Sequence, residues 1–396
     1  MRVERQQQAG TMTGISLLLP ITLTTMAVVL LAPVLPRLMA EYAHVPGHDY
    51  LVPMVLTLPS LCVALLCPVA GLLGDRFGRR RLLLMAFVLY AVVGMAPLVL
   101  TSLWAILASR VAVGIAEALI YVLSTTMIGD YFTGPARDRW LAGQTAFASV
   151  SALLFFNLGG VLGDFGWRTS FWVYGAALVM FAMVWRYTWD TEPAAATPKA
   201  SSAPAAASSP WGRLAVIVAI TIYGSVFFYT VQIQASSGLV QLGLVSAARI
   251  GLFTSLASLG VPLGTFVYTR IAGQGPLRLL CAEFALIAAG FAIMGHSTSV
   301  PMFLAGCFVN QVGGGMLLPT LLVWSISLLP YEVRARGTGV WQSSFALGQW
   351  LSPLVVTALS LHWGGLMPAF AVLGHAALAG LGVAVAALVV SRRAAT

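Results

Sequence analysis

The sequence predicts an all-α membrane protein, with twelve transmembrane helices in two pseudo-symmetric six-helix bundles. Three observations predict it: a scarcity of charge, apolar stretches that recur along the whole length, and a polar break near the middle. Charged residues make up 8% of the 396 residues, hydrophobic ones 59%, and the mean hydropathy is +0.91. A soluble domain carries about 25% charged residues. This chain has too few to coat a water-facing surface, so lipid must be the solvent over most of its outside.

A spanning helix needs about 20 apolar residues. Stretches of that kind are read at 14–38, 50–73, 82–101, 104–128, 140–162, 168–188, 212–235, 248–270, 278–296, 300–324, 338–361 and 366–390. They are too long and too continuous for barrel strands, and a helix satisfies its own backbone groups in hydrocarbon. The first stretch is long and has no small-residue cleavage site, so an uncleaved first helix is expected. Cys62, Cys67, Cys281 and Cys307 all fall inside proposed spans and are expected to be packing residues, not disulfide or zinc partners.

The polar break is 190–211, DTEPAAATPKASSAPAAASSPW, rich in Ala, Ser and Pro and without an apolar period. It reads as a flexible linker. The expected units are residues 1–189 and 212–396. Their basic loops echo each other: Arg137 and Arg139 recur as Arg334 and Arg336 at an offset of 197, and Arg76 recurs as Arg270 at 194. A duplicated six-helix unit explains that register.

With the N-terminus placed in the cytoplasm, 17 of the 21 basic residues fall in cytoplasmic segments. Among them are Arg2, Arg5, Lys199, Arg213, Arg278, Arg392 and Arg393; the exceptions are Arg37, Arg110, Arg168 and Arg249. The positive-inside rule expects this bias. Both termini are then cytoplasmic, and the membrane expected is a bacterial inner (plasma) membrane. The net charge of +9 is spread over short loops rather than a soluble face, so no nucleic-acid partner is expected.

The densest charge is GLLGDRFGRRR, residues 71–81, read as the loop between helices 2 and 3. Gly71 and Gly74 would let a neighbouring helix approach, Gly78 would permit a tight turn, and Asp75 needs a cation or a helix N-terminus. With twelve helices and a central linker, this stretch resembles the major facilitator superfamily. That family's pattern G-x-x-x-D-R-x-G-R-R is met by Gly71, Asp75, Arg76, Gly78, Arg79 and Arg80. The resemblance implies the major facilitator fold, alternating access, and a gating role for these six residues.

Helix 4 reads SRVAVGIAEALIYVLSTT. Arg110 and Glu117 are seven residues apart and share one helix face, with Gly114 between them. A charge at the bilayer centre costs about 2.5–3.5 kcal/mol on insertion scales, so both should face a cavity or a partner. Glu117 can avoid most of that cost by binding a proton, which makes it the candidate proton carrier with Arg110 tuning its charge. The competing reading is a lock, Arg110 to Glu117 or Arg110 to backbone, that only fixes helix packing. R-x-x-x-G resembles the superfamily's helix 4 motif, and G-I-A-E-A is similar to spinster-type lipid transporters and some drug:proton antiporters. Helix 5 departs from the antiporter pattern G-P-x-x-G-G: Phe155 and Phe156 precede Gly159 and Gly160, while Pro353 stands at the equivalent place in helix 11.

The superfamily builds its cavity from helices 1, 4, 7 and 10. Polar residues on them are Thr22, Thr25, Tyr121, Tyr223, Tyr229, Gln232, Asn310 and Gln311, and aromatic surface comes from Phe147, Phe155, Phe227, Trp341 and Phe345. The candidate substrate-binding set is Thr25, Tyr121, Tyr223, Tyr229, Gln232, Asn310, Gln311, Trp341 and Phe345. Such a cavity suits hydrophobic or amphipathic small molecules. His44 and His48 are broken by Pro46 and Gly47 and are not expected to hold a metal. Glu283 and His375 fall on peripheral helices and read as incidental, with Glu283 snorkelling toward Arg278. No nucleotide-binding loop, cofactor motif or acid–base–nucleophile cluster is present in the sequence, so no cofactor is expected and the chain is not expected to be an enzyme. The expected function is proton-coupled export by a monomer. A lysolipid transporter of spinster type and a metabolite uptake symporter remain open alternatives.

Overall fold

A computed structural model describes residues 9–190, 211–328 and 334–393. Among them are twelve helices long and apolar enough to cross a membrane. They are α1 (Thr11–Glu41), α2 (His48–Phe77), α3 (Arg79–Leu98), α4 (Leu103–Tyr131), α5 (Gly134–Asp164), α6 (Trp167–Tyr187), α7 (Leu214–Gln241), α8 (Ala247–Gln274), α9 (Pro276–Gly295), α10 (Val300–Ser327), α11 (Thr338–Trp363) and α12 (Leu366–Arg393). Each expected apolar stretch is a helix, and the all-helical fold class stands. Residues 191–210 of the expected linker, Arg2, Arg5 and Lys199, and the side chains of Arg213, Arg334 and Arg336 lie outside the described residues.

The ends of the helices differ from the sequence reading. The loop expected at 71–81 is almost entirely helical: α2 continues to Phe77, Gly78 alone breaks the path, and Arg79 starts α3. Gly78 sits at φ 88°, a left-handed conformation that glycine adopts without a Cβ clash. Likewise Arg137 and Arg139 belong to the first turns of α5 rather than to a loop. Hydropathy ends a span where charge begins, but a long arginine can lie along the helix and keep its head in water, so the helix runs on.

α1 is the least regular span. Pro20, Pro33 and Pro36 divide it into short helical pieces with a 3-10 turn at Ala32–Val34. Each proline removes a backbone donor and crowds the preceding turn. The four cysteines are free thiols.

Apolar packing falls into two large cores. One is built from residues 17–184 together with Ile233 and Ala247, the other from residues 217–384. A small third cluster, Val63, Cys67, Ala118 and Ala346, joins α2 and α4 to α11. The most extensive packing between the halves of the chain is α2 with α11 and α5 with α8, and the later part of α1 also packs on α7 and α8. At the α5–α8 crossing the backbones nearly touch. A Cβ on Gly160 would lie 2.6 Å from the Ala247 carbonyl oxygen and 3.0 Å from Gly251 Cα. Side-chain packing at that distance is possible only with glycine on both helices.

Candidate functional site

Between the halves lies a cavity of about 200 Å³ lined by α1, α2, α4, α5, α7, α8, α10 and α11. The α4 period brings Glu117 and Tyr121 to it, one turn apart. Among the described lining residues Glu117 is the one acid, and Lys, Arg and His are absent. Glu117 is 5% exposed, and its Oε2 has no hydrogen-bond partner. An unpaired carboxyl oxygen in such surroundings is a site waiting for a proton or a ligand donor.

Arg110 shares the Glu117 face of α4 but not its destination. Its Nη2 donates to the carbonyls of Gly94 at 3.0 Å and Val93 at 3.2 Å, and its Nε to Ser109 Oγ at 3.3 Å. The guanidinium lies 5.0 Å from the ring centroids of both Phe171 and Tyr174. Arg110 is fully buried, bonded to α3 and stacked against α6. It makes no ion pair with Glu117, and the geometry matches the lock to backbone that the sequence left open. Seven helical residues rise about 10 Å, and Arg110 is turned away to its α3 partners.

The expected binding set divides. Thr25, Tyr121, Tyr229, Gln232 and Phe345 line the cavity. Trp341 stands behind that wall, stacked on Phe345 with centroids 5.7 Å apart at 12°. Three residues do not reach it. Tyr223 donates its hydroxyl to the Ala376 carbonyl at 2.5 Å and packs on Phe227 and Phe284. Asn310 donates to the Ile287 carbonyl at 3.4 Å, tying α10 to α9. Gln311 donates to the Phe228 carbonyl at 3.3 Å and accepts from Gln232 Nε2 at 2.6 Å, tying α10 to α7. A buried amide must find a partner, and here other helices supply it in place of a substrate.

Of the other residues singled out, Thr22 bonds back to the Leu19 carbonyl and Phe227 is core. Phe147 is 42% exposed and does not line the cavity. Glu283 is not snorkelling: it is fully buried, and Thr320 Oγ1 donates to its Oε1 at 2.5 Å. The sequence reading also missed Gln342 and Gln349 on α11 and Phe228 on α7, which line the cavity. Gln342, Phe345, Ala346 and Gln349 recur at helical spacing, and that stripe was legible once α11 was placed beside the cavity.

The motif residues gather at the arginine-rich end of the helices. Asp75 pairs with Arg79 at 2.8 Å, and Arg79 also reaches Asp130 at the end of α4 at 2.5 Å. Arg80 Nη2 donates to the Trp185 carbonyl at 2.9 Å and its Nε to Thr188 Oγ1 at 3.1 Å. Arg76 lies 5.4 Å from the Phe77 ring centroid. Of the two glycines expected to allow close approach, Gly74 does so against Leu123, whereas a Cβ at Gly71 would meet only Val122 at an ordinary 3.9 Å.

At the opposite end a second polar cluster crosses between the halves. Asp164, the last residue of α5, accepts from the backbone N–H of Ala247 at 2.8 Å and of Ala248 at 3.3 Å, and from Ser246 Oγ at 3.1 Å. Those donors open α8, where free N–H groups and the helix dipole favour an anion. Arg37 pairs with Asp164 at 3.1 Å and donates to the Gly163 carbonyl. Nearby, Thr357 Oγ1 on α11 donates to the Asp49 carbonyl on α2 at 3.1 Å.

Comparison with known proteins agrees with this architecture. The family model of the Major Facilitator Superfamily matches residues 17–353. An uncharacterized MFS-type transporter of Mycobacterium tuberculosis is 28% identical over 315 residues, covering 78% of this chain and 43% of that protein. The chain therefore spans less than half the length of that relative. The class C tetracycline resistance protein of Escherichia coli is 28% identical over 379 residues, covering 87% of this chain and 90% of that protein. A crystal structure of a bacterial homologue of the human lysosomal transporter Spinster, inward-facing and unoccupied, superposes with a TM-score of 0.77 at 17% identity and covers 94% of both chains.

Proposed function

We propose that this chain, which belongs to the Major Facilitator Superfamily, exports hydrophobic or amphipathic small molecules in exchange for protons. As a member of that family it is a secondary transporter and not an enzyme. The observation that carries the export reading is Glu117, the one acid among the described residues of an aromatic cavity, with its Oε2 unpartnered and no cation among those residues.

In this reading Glu117 is the coupling site. Neutral, it sits in the cavity at little cost. Charged, it needs a donor, and an amphipathic ligand can offer one while its apolar body lies against Tyr229, Phe228 and Phe345. Proton and substrate then compete for the same carboxyl, which is how antiport exchanges them. Arg110 acts as a positioning residue: its bonds to the α3 carbonyls hold α4, and α4 holds Glu117. The units that move are residues 1–189 and 212–396, joined by 190–211. The arginine-rich end faces the cytoplasm, and the Asp164 contacts between the halves hold the opposite end together in this state. The six motif residues would close that end in the other state, with Asp130 as an added partner.

The test uses the protein in liposomes with an acidic interior. Tetracycline is the first probe, because a tetracycline resistance protein is a relative of nearly equal length, and ethidium is the second. The gradient should drive probe accumulation. Glu117→Gln removes the titratable proton and keeps the shape, so accumulation should drop to the level seen without a gradient while exchange at equal pH persists. Full gradient-driven accumulation by Glu117→Gln would overturn the mechanism.

A further inference from the structure

A groove of about 790 Å³ runs along the outside of the first half, between α3 and α6. Its wall is Leu84, Met85, Val88, Leu89 and Val92 from α3, with Phe181 from α6. The α3 residues recur at intervals of three and four positions, so they form one face of the helix. Met85 and Val92 are 59% and 62% exposed, which places that face against lipid. From Arg81 to Val92 the helix rises about 16 Å, and half of a hydrocarbon core of about 30 Å is one leaflet. The groove is one leaflet deep.

Its charged end sits where that leaflet meets water. Arg80 is already occupied by the Trp185 carbonyl and Thr188, with Asp190 at 3.8 Å. Those bonds tie the start of α3 to the end of α6 and fix the two walls. Arg81 is exposed and has no partner among the described residues. It lies in the first turn of α3, where the helix dipole opposes a cation and welcomes an anion. Trp185, 61% exposed, lines the same end and suits the headgroup level. Among the described residues the one acid there, Asp190, is matched by Arg80, so their surplus charge is positive.

We infer that this groove binds an anionic phospholipid, its phosphate on Arg81 and one acyl chain along the α3 face. The guanidinium supplies a charge-assisted, two-donor grip on a phosphate. The apolar wall supplies length matched to a chain, which free phosphate does not use.

The test is native mass spectrometry of the full chain in detergent with equimolar phosphatidylglycerol and phosphatidylethanolamine. One charge-assisted contact at the headgroup level predicts about a tenfold preference for phosphatidylglycerol. Arg81→Ala should bring the preference close to parity. Val88→Trp, which fills the groove from its lipid side without touching charge, should reduce adducts of both lipids. Arg270→Ala, an exposed arginine on α8, should leave the preference unchanged. Equal binding of the two lipids to the unaltered protein would overturn the inference, as would an equal loss in Arg270→Ala. Displacement by millimolar inorganic phosphate with no effect of Val88→Trp would also overturn it, since it would mark a bare anion site.

Discussion

The two ends of the helical bundle hold polar clusters of similar composition that do opposite things. At the arginine-rich end, the described bonds of Asp75, Arg79 and Arg80 all close within residues 75–190. At the opposite end, Asp164 reaches from α5 to three donors at the start of α8, across the boundary between the halves. The first cluster stiffens one half. The second joins the two. Charge density therefore does not tell which end is shut; the position of the partner along the chain does. In alternating access, leaving this state requires the Asp164 contacts and the glycine crossing beneath them to separate. The comparison can be broken by disturbing each end in turn and reading one distance, between spin labels at Phe165 and Val245, which are 79% and 82% exposed beside the Asp164 cluster.

The largest effect is expected at Gly251. A side chain there runs into the Phe156 carbonyl and into Gly160, both backbone that cannot rotate aside. Overpacking of this kind costs about 1–3 kcal/mol or more, and here separation of α5 from α8 relieves it. Gly251→Leu should make the long label distance the main population. A protein that keeps the short distance would show that the crossing is not what separates.

Next comes Asp164→Ala. It removes the anion from the α8 N-terminus and leaves two backbone N–H groups without their acceptor. Hydrogen bonds to charged groups are worth about 1.5–3 kcal/mol, and partial exposure lowers that here. A rise of about tenfold in the long-distance population is expected, as 1.4 kcal/mol corresponds to one decade.

These two positions also mark how far the sequence could be read. All twelve spans were legible, because a lipid solvent writes itself into the chain as apolar length. The Arg110 lock was one of two readings of its spacing from Glu117. The role of Asp164 was not legible, because its main partners are backbone N–H groups about 80 positions away, and backbone carries no sequence signal. Asp130 was missed for a related reason: its partner Arg79 was already assigned to the motif. Asn310 and Gln311 show the converse error. Two amides in hydrocarbon announce that they need partners, but the sequence cannot say whether a substrate or the next helix supplies them. In the structure α7 and α9 do.

A smaller effect, of a different kind, is expected at the arginine-rich end. Asp130 is 15% exposed and holds Arg79 at 2.5 Å. Asp130→Ala leaves Arg79 with Asp75 alone, a pair that spans Gly78 and ties α3 only to α2. The ion pair from α3 to α4 at this end is lost, while the Arg110 bonds to α3 and the contacts between the halves are untouched. Thermal unfolding in detergent should begin at a lower temperature, with the 165–245 distance unchanged. A shift in that distance would mean that the two clusters communicate in this state, and the contrast between the ends would weaken.

The smallest effect should come from Arg37→Ala, and it sharpens the account of the opposite end. Arg37 and Asp164 are each 37% exposed, and exposed pairs contribute about 0.2–1 kcal/mol. That converts to a change of about fivefold at most in the long-distance population. With Arg37 gone, Asp164 still accepts from Ala247, Ala248 and Ser246, so the helix cap survives, and what is lost is the counter-charge and its bond to the Gly163 carbonyl. High salt should mimic the substitution, because screening weakens an exposed ion pair far more than a hydrogen bond to a helix N-terminus. If Arg37→Ala moved the labels as far as Asp164→Ala does, the joint between the halves would be an ion pair rather than a cap. In that case the closed end would loosen with ionic strength, which a cap made mainly of backbone donors does not do.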